Sequence, residues 1–219
     1  MSTLLQHYWL EFLTIASVHL VAVASPGPDF AVVVKNSVKY GRNAAYATSI
    51  GIGVGILIHV AYSLLGLSLL IKTTPWLYAT FSYIAAAYLL WLAWGAIRAK
   101  ATVQTQETEI NTHAVNVETI SWLRAFWVGF LTNGLNPKAT LFFMSLFTVV
   151  ISTDTPFSVQ LIYGIYLSIA TGIWFVLFSY LLGTSRVLSF IGNKGYLLDR
   201  AMGVLLIVLA TNLLLFQPV

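Results

Sequence analysis

The chain has 219 residues, of which 58% are hydrophobic and only 8% charged, against roughly 25% charged in a water-soluble domain. That is too little charge to coat a soluble surface, and the absence of cysteine excludes disulfides, thiolate metal sites and thiol redox chemistry. The net charge of +4 invites a nucleic-acid reading, which the placement of the charges between apolar stretches refuses.

Six apolar stretches of spanning length are predicted along the chain. The first, near Leu4–Val34, is not a cleavable signal peptide: no Lys or Arg precedes it and Glu11 interrupts it. Glu11 follows Tyr8 and Trp9, which places it near the outer interface as a partly hydrated group. His19 lies deeper, either as a neutral residue bonded to a neighbouring helix or as a proton relay. Ser25-Pro26-Gly27-Pro28-Asp29 then breaks the stretch, because two prolines and a glycine remove backbone donors and permit a sharp turn.

The second stretch, Ala44–Ile71, carries Gly51, Gly53, Gly55 and Gly66, with His59 one turn past Gly55. Small residues at this spacing allow close helix packing, and with no strand before them they are not a phosphate loop. The third, Trp76–Ile97, contains Ala85-Ala86-Ala87, a small-residue surface for packing within one chain or across a homodimer. Residues 99–121 form a polar linker with Glu107, Glu109, Glu118 and His113; His113 and His7 read as solvated. The fourth stretch, Trp122–Ile151, is interrupted by Asn133-Gly134-Leu135-Asn136-Pro137-Lys138. The fifth is Phe157–Leu182, and the sixth, Tyr196–Phe216, opens at Asp199-Arg200, an interface pair or a cytoplasmic gate. The first, second and fourth exceed the roughly 20 residues of a straight span, so each must tilt, break or run on into water.

Nine basic residues fall on one side of these stretches: Lys35, Lys39, Arg42, Arg98, Lys100, Arg124, Arg186, Lys194 and Arg200. Only Lys72 falls on the other, and Lys138 lies inside a span. This positive-inside bias puts both termini on the periplasmic side. Three spans on each side of the linker force the second half to insert upside down relative to the first. The expected fold is therefore an all-α integral membrane protein with six transmembrane helices, arranged as two inverted three-helix repeats. The first helix of each repeat is broken at proline. The single transporter domain, 1–219, divides into a repeat over 1–98, the cytoplasmic linker 99–121 and a repeat over 122–219.

A pair of interrupted spans in matching positions is the best sequence pointer to a transport site. The charges there are complementary: Asp29 can hold an ammonium group or a proton, Lys138 a carboxylate, and the resuming helices offer free N–H groups. Pro26, Gly27, Pro28, Asp29, Asn133, Asn136, Pro137 and Lys138 are thus the expected substrate-binding residues, suited to a zwitterionic amino acid. The plainer reading is that the prolines only shape the bundle, Asp29 sits at the interface beside Lys35, and Lys138 snorkels to water or neutralises Asp29.

Val18-His19-Leu20-Val21 with Ser25-Pro26-Gly27-Pro28-Asp29-Phe30 resembles the start of the LysE/RhtB amino-acid exporters, most closely the threonine/homoserine branch. Gly41-Arg42, Gly51 with Gly55, Tyr88-Leu89 with Gly95, Gly129-Phe130-Leu131-Thr132-Asn133, Asn136-Pro137-Lys138, and Asp199-Arg200 with Gly203 extend the resemblance over essentially the whole chain. It implies export of small amino acids from the cytoplasm across the bacterial inner membrane, driven by protons, with no cofactor. Many members place a carboxylate after the second glycine of the second span, where this chain has Ile56. The proton carrier is then expected at Asp29 or, second, at His59.

Other readings fit less well. Export of a metal cation wants converging ligands, and Asp29 is the single deep carboxylate candidate. An enzyme would need a histidine-rich cluster, H-E-x-x-H or G-x-S-x-G, and none occurs. A non-transport assembly role, or export of another small solute, stays open at this stage.

Overall fold

A computed structural model describes residues 2–73, 75–100, 119–152, 154–182 and 185–215. Most of the linker, with Glu107, Glu109, Glu118 and His113, lies outside the described residues, as do the side chains of His7, Lys72 and Arg186 and the packing around Gly66. The described residues form helices and no strand: α1 Ser2–Ala24, α2 Pro28–Tyr40, α3 Arg42–Thr73, α4 Pro75–Ile97, α5 Trp122–Gly134, α6 Pro137–Val149, α7 Phe157–Leu181 and α8 Ser185–Leu215. Three of these hold a stretch long and apolar enough to cross a membrane (Arg42–Leu65, Phe157–Leu181 and Lys194–Leu215), and α1 with α2 forms a fourth, bent by 52°. Ser82–Ile97 and Pro137–Val149 are shorter apolar helices.

The breaks follow from local chemistry. Helix α1 stops before Pro26, and α2 restarts with Pro28 as its first residue, where the missing N–H would have had no partner anyway. In the other break Asn136 caps α6, its side chain accepting from the Lys138 N–H at 3.0 Å, with Pro137 again in first place. Gly41, at φ 84°, makes the tight turn from α2 into α3 that a side chain would oppose.

The three over-long stretches resolve in two ways. Two are broken, while the second is one continuous helix of 32 residues, about 48 Å long by helical rise. That exceeds a hydrocarbon core of about 30 Å, so α3 must tilt or project. Helix α8 begins at Ser185, well ahead of the expected Tyr196, because the polar residues before the span continue the same helix.

Helix α3 is the spine, packed against α5 and α7, while α4 lies along α8. The α3 contacts are set by glycine: a methyl at Gly51 would overlap the Phe126 carbonyl, and one at Gly129 the Thr48 carbonyl. Gly53 meets Gly172 of α7 backbone to backbone, and Ser168 Oγ donates to the Gly53 carbonyl at 2.7 Å. Ala85 and Ala86 are likewise buried within the chain.

The distribution of polarity is the reverse of a soluble helix. On α7 the buried face carries Ser168, Thr171 and Ser179, while Ile162, Ile165, Ile169, Ile173 and Leu177 point outward. Outward isoleucine suits lipid, and buried hydroxyls find partners only inside, as Ser179 does with Ser49 at 2.9 Å. Trp9, Trp76, Trp91, Trp94, Trp122 and Trp127 are all exposed, as interfacial tryptophans are. The chain is an all-α membrane protein.

Glu11 departs from expectation. It is buried, with 6% of its surface exposed, and not partly hydrated. Oε1 accepts from the Ser152 N–H and Thr155 Oγ1, both at 2.9 Å, and Oε2 accepts from Thr155 at 3.0 Å and Tyr163 Oη at 3.3 Å. The turn between α6 and α7 folds over the carboxylate and supplies the hydrogen bonds that water would otherwise make.

Candidate functional site

Both breaks open onto one cavity. Asp29 enters from the first turn of α2, where the positive end of the helix dipole favours a carboxylate. Asn133 comes from the last turn of α5, Asn136 from the gap, and Lys138 from the first turn of α6. Asn133 Nδ2 donates to Asp29 Oδ2 at 2.9 Å and Asn136 Nδ2 to the same oxygen at 3.4 Å. Two amides from one break thus hold the carboxylate of the other.

The other carboxylate oxygen is open: Asp29 Oδ1 and Asn133 Oδ1 are buried and have no hydrogen-bond partner. A buried acceptor without a donor is costly and rare in native structures. Both residues line the cavity, so a proton or an ammonium group arriving there would complete the pair.

Lys138 stands at the positive end of the α6 dipole, a place that disfavours a cation by itself. The carboxylates of Asp199, which lines the neighbouring cavity, and of Asp29 offset this. Its ammonium donates to Ser25 Oγ at 3.1 Å, and Ser25 donates to Asp199 Oδ1 at 3.0 Å. The remaining lining is mostly apolar, with Phe142, Phe143 and Phe175 closing around a space of about 60 Å³, room for a few waters.

Of the residues singled out in the sequence, Gly27, Pro28, Asp29, Asn133, Asn136 and Lys138 line this cavity. Pro26 lines a neighbouring one, and Pro137 acts through the backbone as the start of α6. His59 stands behind the site and does not line it. Its Nε2 donates to the Asn133 carbonyl at 2.9 Å, its Nδ1 faces the Tyr62 hydroxyl, and its ring stacks on Phe143. A carbonyl can only accept, so Nε2 carries a proton, while the Tyr62 hydroxyl can either donate to Nδ1 or accept from it. His19 lines the cavity directly, with Nε2 2.9 Å from Thr171 Oγ1.

Sequence reasoning missed three contributors: Ser25, Thr171 and Asp199. Ser25 was visible as the first residue of the Pro-Gly-Pro cluster. Asp199, read with Arg200 as an interface pair or a gate, accepts from Ser25, while Arg200 donates to the Ala99 carbonyl at 3.3 Å. Among the described residues no group of three or more histidine or acidic side chains is placed to hold a metal.

Residues 20–217 match the sequence pattern of the LysE type translocators. The chain is similar to a threonine efflux protein of Escherichia coli K12, 34% identical over 143 residues, which is 65% of this chain and 68% of that one. A threonine efflux protein of Salmonella typhimurium is 29% identical over 187 residues, covering 84% and 85%. The uncharacterized membrane protein YahN of Escherichia coli K12 is 27% identical over 219 residues, 96% of each chain. No solved structure matches.

Proposed function

The chain belongs to the LysE type translocator family, whose members are exporters and not enzymes, and from that premise we propose that it exports small neutral amino acids, threonine or homoserine among them, from the cytoplasm in exchange for protons. The observation that carries the reading is the meeting of Asp29 and Lys138, one from each helix break, on a single buried cavity. A carboxylate acceptor and an ammonium donor on one cavity suit the two charged ends of an amino acid, and the apolar lining suits a small side chain.

Asp29 is the proposed point of coupling. One carboxylate oxygen is occupied by Asn133 and Asn136 and the other is open. The open oxygen takes a proton or a substrate ammonium and cannot take both, which is the minimum needed for antiport. His59 is the weaker candidate, since both ring nitrogens already have partners.

The broader architecture is proposed on the same grounds. Helices α1–α4 and α5–α8 each contain a broken span followed by two further helices, and the equivalent pairs α3 with α7 and α4 with α8 pack together. That pairing favours two inverted repeats of three spans joined by the cytoplasmic linker. The basic bias supports periplasmic termini, and the family's role in export supports residence in the inner membrane.

The test is efflux of labelled threonine and a panel of other amino acids from preloaded cells, with and without a protonophore. Efflux that needs the protein, collapses with the protonophore and falls at least about tenfold in Asp29→Asn and Lys138→Met is the expected result, each variant having lost one charge-assisted contact. Efflux indifferent to the protein across the panel would remove the amino-acid assignment.

A further inference from the structure

The central cavity has a neighbour. A second cavity of about 430 Å³ lies between the first break and the paired α4 and α8, lined on the α4 side by Trp91, Trp94, Gly95 and Ala99. Ser25, Gly27, Pro28, Lys138 and Met202 line both spaces and form the partition between them. Its polar centre is the chain in which Lys138 Nζ donates to Ser25 Oγ and Ser25 Oγ donates to Asp199 Oδ1, at 3.1 and 3.0 Å. An ammonium only donates and a carboxylate only accepts, so the hydroxyl between them must do both. One turn beyond Asp199, Gly203 seats α8 directly on the α4 backbone at Ala93 and Ile97, so Asp199 is carried by the closely packed pair.

We propose that Lys138–Ser25–Asp199 is the latch of a gate between this vestibule and the central site, with Asp199 as a positioning residue that holds the partition shut. The vestibule sits beside Ala99 and Arg200, at the end of the bundle bearing Arg98, Lys100 and Arg200. This is the side from which an exported solute arrives. The latch opens by exchange of partners. An amino-acid carboxylate replaces Ser25 at Lys138 while its ammonium replaces Ser25 at Asp199, and neither charge is left bare. A solute with one charge or none satisfies half of the latch at most, which leaves a half-buried ion without its partner and is unfavourable. The inference deepens the exporter reading and rests on it for the direction of travel.

The chain has no cysteine, so single reporters can be introduced without altering a background. Gly95→Cys reports on the vestibule, where an added Cβ meets nothing within 4 Å. Ala22→Cys reports on the central cavity. In inside-out vesicles, a charged, impermeant thiol reagent should label Gly95→Cys quickly and Ala22→Cys slowly. Adding Ser25→Ala or Asp199→Asn should raise the Ala22→Cys rate at least about tenfold, as expected when a two-state opening loses a charge-assisted hydrogen bond. The Gly95→Cys rate should stay the same in both, which separates a released latch from general unfolding. An Ala22→Cys rate that stays at its parent value in either variant, or that matches Gly95→Cys before any latch substitution, would overturn the proposal. Labelling needs no transported solute. Reporter proteins that label as expected, from a parent chain that exports no amino acid, would remove the exporter reading and keep the gate.

Discussion

Asp29 and Glu11 show what burial does to a carboxylate in opposite ways. Glu11 is fully engaged by Ser152, Thr155 and Tyr163, whereas Asp29 is engaged at one oxygen and open at the other. The first arrangement satisfies the carboxylate and the second leaves one oxygen without a donor. Removing Glu11 strands the Ser152 N–H and the Thr155 hydroxyl, each costing about 1–3 kcal/mol, while Tyr163 keeps its bond to the Tyr8 carbonyl. Glu11→Ala should therefore lower the melting temperature in detergent clearly, and Glu11→Gln, which keeps one acceptor oxygen, should lower it less. Equal melting of all three proteins would show that water replaces the carboxylate. Asp29→Asn should behave conversely, leaving the melting temperature near its parent value while efflux is lost, because the amide oxygen still accepts from Asn133 and Asn136.

The helices are arranged by where backbones touch. Gly51, Gly53 and Gly129 stand where α3 meets α5 and α7 with no space for a side chain, and the obstructing atoms are backbone or lie against it. Backbone cannot rotate away as a side chain can, so Gly129→Ala should greatly reduce the yield of folded protein in the membrane. Gly95→Ala is the control. Its Cβ meets nothing within 4 Å, and helix propensity favours alanine by about 0.5–1 kcal/mol. A folded yield for Gly129→Ala equal to that of Gly95→Ala, measured by size-exclusion chromatography, would mean that α3 and α5 separate readily. The Asn36 side chain adds a polar tie to this junction, donating to Thr48 Oγ1 at 2.7 Å while Thr48 donates to the Ala44 carbonyl at 2.8 Å.

At the scale of the whole molecule, the side chains divide by solvent. Polar groups turn inward to one another and isoleucine, leucine and tryptophan turn outward, which is stable only where the surroundings are lipid. The basic residues then decide which way the bundle faces. Phosphatase fusions, active only in the periplasm, should be active at the C-terminus and inactive after Lys100. The opposite pattern would invert the proposed direction of export and put the vestibule on the outer side.

Residence in the membrane, the helical class, and the positions of both breaks were legible in the sequence. Scarce charge, apolar runs and prolines act locally, and their consequences need no partner. The pairing of Asp29 with Lys138 in one cavity was also readable as complementary charge at two breaks. Their means of engagement was not. Asp29 meets Asn133 across 104 positions and Ser25 meets Asp199 across 174, contacts that no local pattern encodes. Nor did an acidic residue beside interfacial aromatics reveal that a turn from beyond α6 would bury it. Those outcomes were decided by how closely α3, α5 and α7 approach at their glycines and how α4 seats α8. Packing chooses which buried polar groups become neighbours, and only neighbours can satisfy one another.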